Sequence, residues 1–153
     1  MFNEKKITQM AAYLLHQRGG QMSHLKLMKL LYLADRKSFI QFGYSMSDDR
    51  MVSMPKGPVL SMTLDLMNGG STQGAGGWGS LISAKEDYEL SLAHNIDIGS
   101  LDELSQSDVE VLNQVWAEFG SMTRWEIVDY THDNCPEWED PNGSSSPIPL
   151  EQL

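Results

Sequence analysis

Apolar residues recur along the first forty positions with the period of an α-helix. Those within residues 4–17 share one helical face: Ile7, Met10, Ala11, Leu14 and Leu15. This spacing predicts a helix over residues 4–17, with Asn3 as its N-cap and Gly19 at its end.

A second helix is predicted over residues 24–42, between Ser23 as the cap and Gly43 as the stop. Its apolar residues lie on most sides, which is typical of a helix buried at the centre of a bundle. Only a narrow basic edge remains: Lys26, Lys29, Arg36 and Lys37.

The middle of the chain has mixed signals. Residues 50–54 look extended, Pro55 ends that stretch, and Pro58 suits the first turn of a helix over residues 58–67. The glycine-rich residues 69–79 predict a flexible loop, because glycine loses much backbone entropy in a regular element. The alternation that follows predicts a β-hairpin, with strands at 80–84 and 88–92.

Two further helices are predicted near the C-terminus. One spans 108–119, with a capping box of Ser107 and Glu110. The other spans 124–132, with a capping box of Thr123 and Glu126. The predicted fold class is mainly α: a compact helical domain with a small β-hairpin or short sheet. We expect one domain over residues 1–153, with 134–153 as a tail packed on it or loosely attached.

Charge divides the chain into two unequal halves. The net charge is −10, but residues 1–68 carry nine Lys/Arg and five Asp/Glu, whereas residues 69–153 carry two and sixteen. The acidic total disfavours direct nucleic-acid binding. Either the two halves attract each other across a shared core, or the acidic half meets a basic partner, and the first alternative is favoured.

Candidate chemistry is sparse. The single cysteine, Cys135, allows no internal disulfide and fits a reducing cytoplasm, and we see neither a signal peptide nor a stretch long enough to span a membrane. His132 and Cys135 could form a nucleophilic pair, but the pair would sit on a frayed helix end. The histidines have no metal-ligand spacing. We therefore expect no catalytic residue, cofactor or metal site, and keep a small hydrolase as the alternative.

Several short motifs occur together in one order. They are Lys-Leu-Met-Lys-Leu-Leu-Tyr-Leu-Ala-Asp at 26–35, Gly-Pro-Val at 57–59, Thr-Arg-Trp-Glu-Ile-Val-Asp-Tyr-Thr-His at 123–132, Cys-Pro-Glu-Trp at 135–138 and Ser-Pro-Ile-Pro-Leu-Glu at 146–151. Their order and spacing resemble the Panacea antitoxin domain family, also described as SocA-like or phage-associated, over roughly residues 4–151. The resemblance implies a helical domain without catalytic residues that neutralises a toxin encoded beside it, with a protease or chaperone as a further possible partner. A phage-encoded regulatory protein without a toxin is a third alternative.

The segment 44–56 is the best candidate for partner binding. It combines an aromatic residue and methionines with mixed charges, as the core and rim of an interface do. We expect the contact surface to include this segment and the basic edge of the second helix, through Lys29, Arg36, Tyr44, Asp48, Arg50, Met51, Met54 and Lys56. Methionines that pack inward are an equally weighted alternative.

Overall fold

Helices form most of the regular structure in the computed structural model, which describes residues 1–70 and 76–153. In chain order they are α1 (Glu4–Gln17), α2 (His24–Phe42), α3 (Ser61–Met67), α4 (Trp78–Leu81), α5 (Gln106–Phe119) and α6 (Arg124–Asn134). Two short 3-10 helices lie at Ile98–Ser100 and Leu150–Gln152. The predicted mainly α class is confirmed.

Short strands form two small antiparallel sheets. They are β1 (Gln21–Ser23), β2 (Met51–Met54), β3 (Gly57–Leu60), β4 (Glu89–Ser91) and β5 (Ser146–Pro147). One sheet pairs β1 with β4, and the other has the order β3-β2-β5. In the second sheet Met51 is opposite Leu60 and Met54 is opposite Gly57, so Pro55 and Lys56 form the connecting turn.

The second helix lies at the centre of the fold, as its apolar circumference predicts. It contacts α1, α3, α5, α6, β1 and β3. Leu27, Leu30 and Leu31 are fully buried. The core of the fold is therefore arranged around this helix.

Helix boundaries follow the local capping chemistry. α1 and α2 have the predicted limits, and the Asn3 side chain accepts a hydrogen bond from the Lys6 amide at 3.0 Å. The Thr123–Glu126 capping box of α6 is also confirmed. The predicted box of Ser107 and Glu110 is wrong. α5 begins two residues earlier than predicted, with Ser105 and Asp108 as the reciprocal pair.

The helix predicted from Pro58 is wrong at its start. Gly57–Leu60 is a strand, and α3 begins only at Ser61. Pro58 fits here because β3 is an edge strand, where a missing N–H breaks no ladder. The N-terminus of α3 is capped from a distance, since the Asp49 carboxylate accepts hydrogen bonds from the Met62 and Thr63 amides, both at 2.8 Å.

The hairpin predicted from 80–84 and 88–92 is correct only in part. Residues 78–81 are helical, and Glu89–Ser91 pairs with Gln21–Ser23 instead. A single bridge joins Ile82 to Leu92. Residues 71–75 of the glycine loop predicted at 69–79 lie outside the described residues. The end of that prediction is wrong, because Trp78 and Gly79 belong to α4.

The C-terminal residues lie against the domain. Ser146 pairs with Ser53 of β2, and Ile148 is 6% exposed. Glu137 is 3% exposed. This segment therefore supplies the outer strand β5 of the three-stranded sheet and contributes side chains to the core.

Candidate functional site

Residues from three of the sequence motifs meet in a buried polar cluster between α2, β3 and α6. Lys29 of α2 is fully buried, and its Nζ donates a hydrogen bond to the Pro58 carbonyl oxygen at 2.8 Å. Burial lowers the pKa of Lys29 to about 7. Lys29 thus connects α2 to the start of strand β3.

Gly57 completes this cluster by having no side chain. Its φ is +110°, a conformation that L-residues rarely adopt. A Cβ at this position would lie 2.9 Å from Thr131 Oγ1 and 3.2 Å from Lys29 Nζ. Close packing against α2 and α6 therefore requires glycine at position 57.

Glu137 forms a second buried junction. Its carboxylate accepts hydrogen bonds from Tyr32 Oη at 2.7 Å, from Arg36 Nε at 2.6 Å and from Arg36 Nη2 at 3.2 Å. Burial and the hydrogen bond to Glu137 raise the pKa of Tyr32. These contacts fix the residues that follow α6 onto α2.

Cys135 is poorly suited to act as a nucleophile. Its side chain is 1% exposed, and burial raises the pKa of the thiol to about 11. The reactive species is the thiolate, which this environment disfavours. His132 stacks on Trp138 with ring centroids 4.3 Å apart, and its buried Nε2 has no hydrogen-bond partner among the described residues. His132 therefore does not activate the Cys135 thiol.

The residues predicted for partner binding divide into exposed and buried groups. Four are exposed: Tyr44, Asp48, Arg50 and Lys56. Two are half-buried, Arg36 and Met54, and two are buried, Lys29 and Met51. The exposed basic edge predicted to include Lys29 is therefore wrong, because its ammonium group points into the cluster with Pro58. For Met51 the inward-packing alternative is correct.

Two of the exposed residues, Tyr44 and Lys56, lie near opposite ends of α2. Tyr44 stacks on Phe42 with ring centroids 5.9 Å apart, next to the C-terminus of that helix. Lys56 lies near the N-terminus, where it lines depressions together with His24. A helix of 19 residues is about 28 Å long, so these are two separate patches.

The patch at the N-terminus of α2 is a cleft made of two adjoining depressions, of about 530 and 390 Å³. Both are lined by His24, Leu25 and Lys56, and we call them together the α2 cleft. The larger depression also reaches Lys29, so the buried cluster lies at its edge. Cavities of a few hundred Å³ are large enough for several side chains of a bound molecule.

Two exposed aromatic residues flank the smaller depression, and sequence reasoning missed both. Trp125 is 52% exposed, with Lys56 Nζ 5.9 Å and Arg124 Cζ 5.3 Å from its ring centroid. Tyr88 is 75% exposed and stacks on His24, with ring centroids 6.0 Å apart.

A signal for Trp125 is present in the helical period. The buried residues of α6 are Ile127, Val128 and Thr131, which share one face. Trp125 is about 160° of helical rotation from Ile127 and about 60° from Val128, so it falls at the edge of that face and not on it. For Tyr88 no periodic signal exists, since it lies in a turn.

Neither a metal centre nor a membrane segment is found in the described part of the chain. Within residues 1–70 and 76–153 no three His, Cys, Asp or Glu side chains are grouped to hold a metal ion. None of the helices described has the length and apolar character to cross a membrane.

Comparison with known proteins identifies one family. No curated protein and no solved structure matches the chain significantly. The family model "Antitoxin SocA-like, Panacea domain" matches residues 27–139, which include most of α2, the Gly57-Pro58 pair at the start of β3, and α6. The matched region is nearly three quarters of the chain and contains both buried junctions, so this protein belongs to the SocA-like antitoxin family with a Panacea domain.

Proposed function

We propose that this protein is an antitoxin that neutralises a cognate toxin, encoded beside it, by direct protein–protein contact in the cytoplasm. Membership of the SocA-like antitoxin family supports the antitoxin role. The observation that carries the binding mode is the surface at the ends of α2, where large aromatic side chains are exposed among charged ones. Trp, Tyr and Arg are the side chains that dominate binding energy at protein interfaces.

The proposed contact surface includes the exposed or half-buried side chains of the 44–56 segment: Tyr44, Asp48, Arg50, Met54 and Lys56. The other three residues predicted from the sequence take supporting roles in this proposal. Arg36 holds Glu137, Lys29 holds Pro58, and Met51 packs in the core. The surface therefore rests on a rigid base, which lowers the entropy lost on binding.

Co-expression with the open reading frame adjacent to its gene tests the proposal. We expect that product alone to arrest bacterial growth, and co-expression of this protein to restore growth. The two proteins should also co-purify as a complex. Restored growth without any complex would contradict neutralisation by contact, and a harmless neighbour would contradict the toxin assignment.

A protease adaptor role predicts a different amount of toxin protein in the same cells. Simple sequestration leaves the toxin abundant and bound, whereas delivery to a protease lowers its amount. Immunoblots of the tagged toxin after translation is stopped distinguish the two outcomes. The same blots from a protease-deficient strain show whether the loss depends on proteolysis.

A further inference from the structure

We propose that the α2 cleft is the docking site for an acidic segment of the partner protein, one that carries an aromatic or large aliphatic anchor residue. This inference rests on the proposed function and adds to it the location of the contact and the chemistry of the partner. Charge, shape and backbone conformation at the cleft each support it.

Positive charge is concentrated at this end of a strongly acidic protein. A third depression, of about 400 Å³, adjoins the cleft through Ser23, Glu89 and Arg124. Lys26 and Lys29 also reach these depressions, but both are buried and donate hydrogen bonds to backbone carbonyls. Three exposed cations of the chain, Arg18, Lys56 and Arg124, line the three depressions. Only two of its 21 Asp/Glu residues do so, Asp87 and Glu89. A partner segment that complements this local field is acidic.

The fold brings these cations together from distant parts of the chain. Arg124 is one of only two Lys/Arg residues in the acidic half, and it meets Lys56 of the basic half at the Trp125 ring. Two cations that share one exposed aromatic ring repel each other. A carboxylate of the partner at this position relieves that repulsion.

The larger depression supplies an apolar wall for an anchor residue. The side chains that line it include Leu25, Met28, Met54, Val59 and Leu64. Methionine side chains adapt their shape to an inserted group at small cost. The acidic rim contacts and the apolar wall together select a segment with both characters.

Tyr88 is displayed beside the cleft at a cost in backbone strain. Asp87 and Tyr88 have φ angles of +51° and +64°, as the central residues of a two-residue turn closed by reciprocal hydrogen bonds between Glu86 and Glu89. Such a turn favours Asn and Gly, and a tyrosine in the left-handed region is an outlier. The Tyr88 carbonyl accepts a hydrogen bond from the His24 amide at 2.9 Å, which fixes the turn at the cleft. Strain of this kind concentrates at functional sites.

A nucleic acid would also be attracted to cations and exposed aromatic rings. The observations favour a protein, because Asp87 and Glu89 line the cleft and the whole chain carries a net charge of −10. A phosphate backbone would meet repulsion on every side of so small a basic region. The experiment includes a nucleic-acid measurement so that this alternative is decided.

Titration calorimetry with the purified product of the adjacent gene tests the site. We expect Lys56→Glu with Arg124→Glu to weaken binding about tenfold or more, because two attractive contacts become repulsive. Lys5→Glu with Lys85→Glu is the matched control, since it makes the same change in net charge at residues that line none of the three depressions. The control pair should bind within about twofold of the wild type, as expected for charges outside the interface.

Tyr88→Gly separates binding from folding. Because glycine relieves the left-handed strain, we expect a rise in Tm of about 2–4 °C. The same variant loses the exposed ring, so its affinity should fall about tenfold. A more stable protein that binds less tightly cannot be explained by unfolding.

Hydrogen exchange on the complex identifies the partner segment. We expect protection at residues 24–28, 54–59 and 86–89 of this protein, and at a segment of the partner with an excess of Asp/Glu around an apolar residue. A protected partner segment that is neutral or basic overturns the inference.

The outcomes distinguish this inference from the proposed function. If the wild type does not bind the adjacent gene product, the proposed function fails and this inference fails with it. If the wild type binds and the Lys56/Arg124 pair binds equally well, only the cleft is excluded. Tight binding of a 20-nucleotide single-stranded RNA by the wild type, lost in the same pair, would identify a nucleic-acid site instead. Self-association of the free protein, abolished in that pair, would assign the cleft to a second copy.

Discussion

Replacement of Lys29 by methionine tests whether the buried cluster holds an uncharged amine. Methionine preserves the length and packing of the side chain but removes the group that titrates. The pKa of Lys29 falls from 10.5 to about 7 on folding, because burial disfavours the ammonium form. Keeping the ammonium form in the folded state would therefore lower the free energy of unfolding by about 5 kcal/mol.

The sign of the pH dependence follows from proton binding. Between pH 7 and 10.5 the unfolded chain binds a proton at Lys29 that the folded chain has largely released. The contribution of Lys29 to the free energy of unfolding therefore rises as the pH rises through this window. From pH 7 to pH 9 we expect wild type to gain about 2 kcal/mol relative to Lys29→Met.

Urea unfolding, followed by circular dichroism at pH 7, 8 and 9, measures this difference. At pH 7 the variant should be at least as stable as wild type, because removal of a buried charge offsets the lost hydrogen bond to Pro58. The exposed Lys5→Met is the control, and its difference from wild type should stay constant with pH. If the Lys29→Met difference is also constant from pH 7 to 9, the amine keeps its proton in the folded state and the argument fails.

Three further changes test other parts of the structure. Gly57→Ala should cost about 2 kcal/mol or more in urea unfolding, because its φ is +110° and its Cβ would meet Thr131; an unchanged midpoint would show that the turn relaxes freely. Leu30→Ala or Leu31→Ala should cost about 2–5 kcal/mol through the cavity left in α2, and thermal unfolding that hardly moves would exclude a central position for this helix. Cys135→Ser should keep toxin neutralisation intact in the growth assay, since a buried thiol with a raised pKa is inert; loss of activity in a folded variant would revive the nucleophile.

The helices of the core could be predicted because a strong local signal coincided with a tertiary one. α2 has apolar residues on most sides between Ser23 and Gly43, and no competing element fits those limits. Where two local signals were equivalent, the prediction failed. Ser105 and Ser107 both suit an N-cap. The structure uses Ser105, whose capping partner Asp108 also forms an ion pair with Lys6 of α1 at 2.9 Å.

Strand pairing was predicted less well, because partners far apart in sequence decide it. Glu89–Ser91 has an alternating pattern that is satisfied equally by a neighbouring strand or by Gln21–Ser23. Pro58 was assigned to a helix start since proline favours that position, but it also favours an edge strand. Here Gly57–Leu60 pairs with Met51–Met54, and Lys29 of α2 donates a hydrogen bond to the Pro58 carbonyl.

The buried position of Lys29 was missed for the same reason, while binding of a partner by the exposed predicted residues stays a prediction. Lys29 was placed on an exposed edge because lysine is rarely fully buried without a partner. Its partner is a backbone carbonyl, which has no signature in sequence. Tyr88 and Trp125 were not selected, since exposure depends on which elements pack around them.

The buried cluster and the α2 cleft adjoin at the turn between β2 and β3. Lys29 and Thr131 enclose Gly57, and the residue before it, Lys56, extends into the cleft. A change that displaces Gly57 therefore displaces a proposed contact residue, although Gly57 itself is buried. Gly57→Ala should for this reason weaken partner binding under conditions in which the variant is still folded.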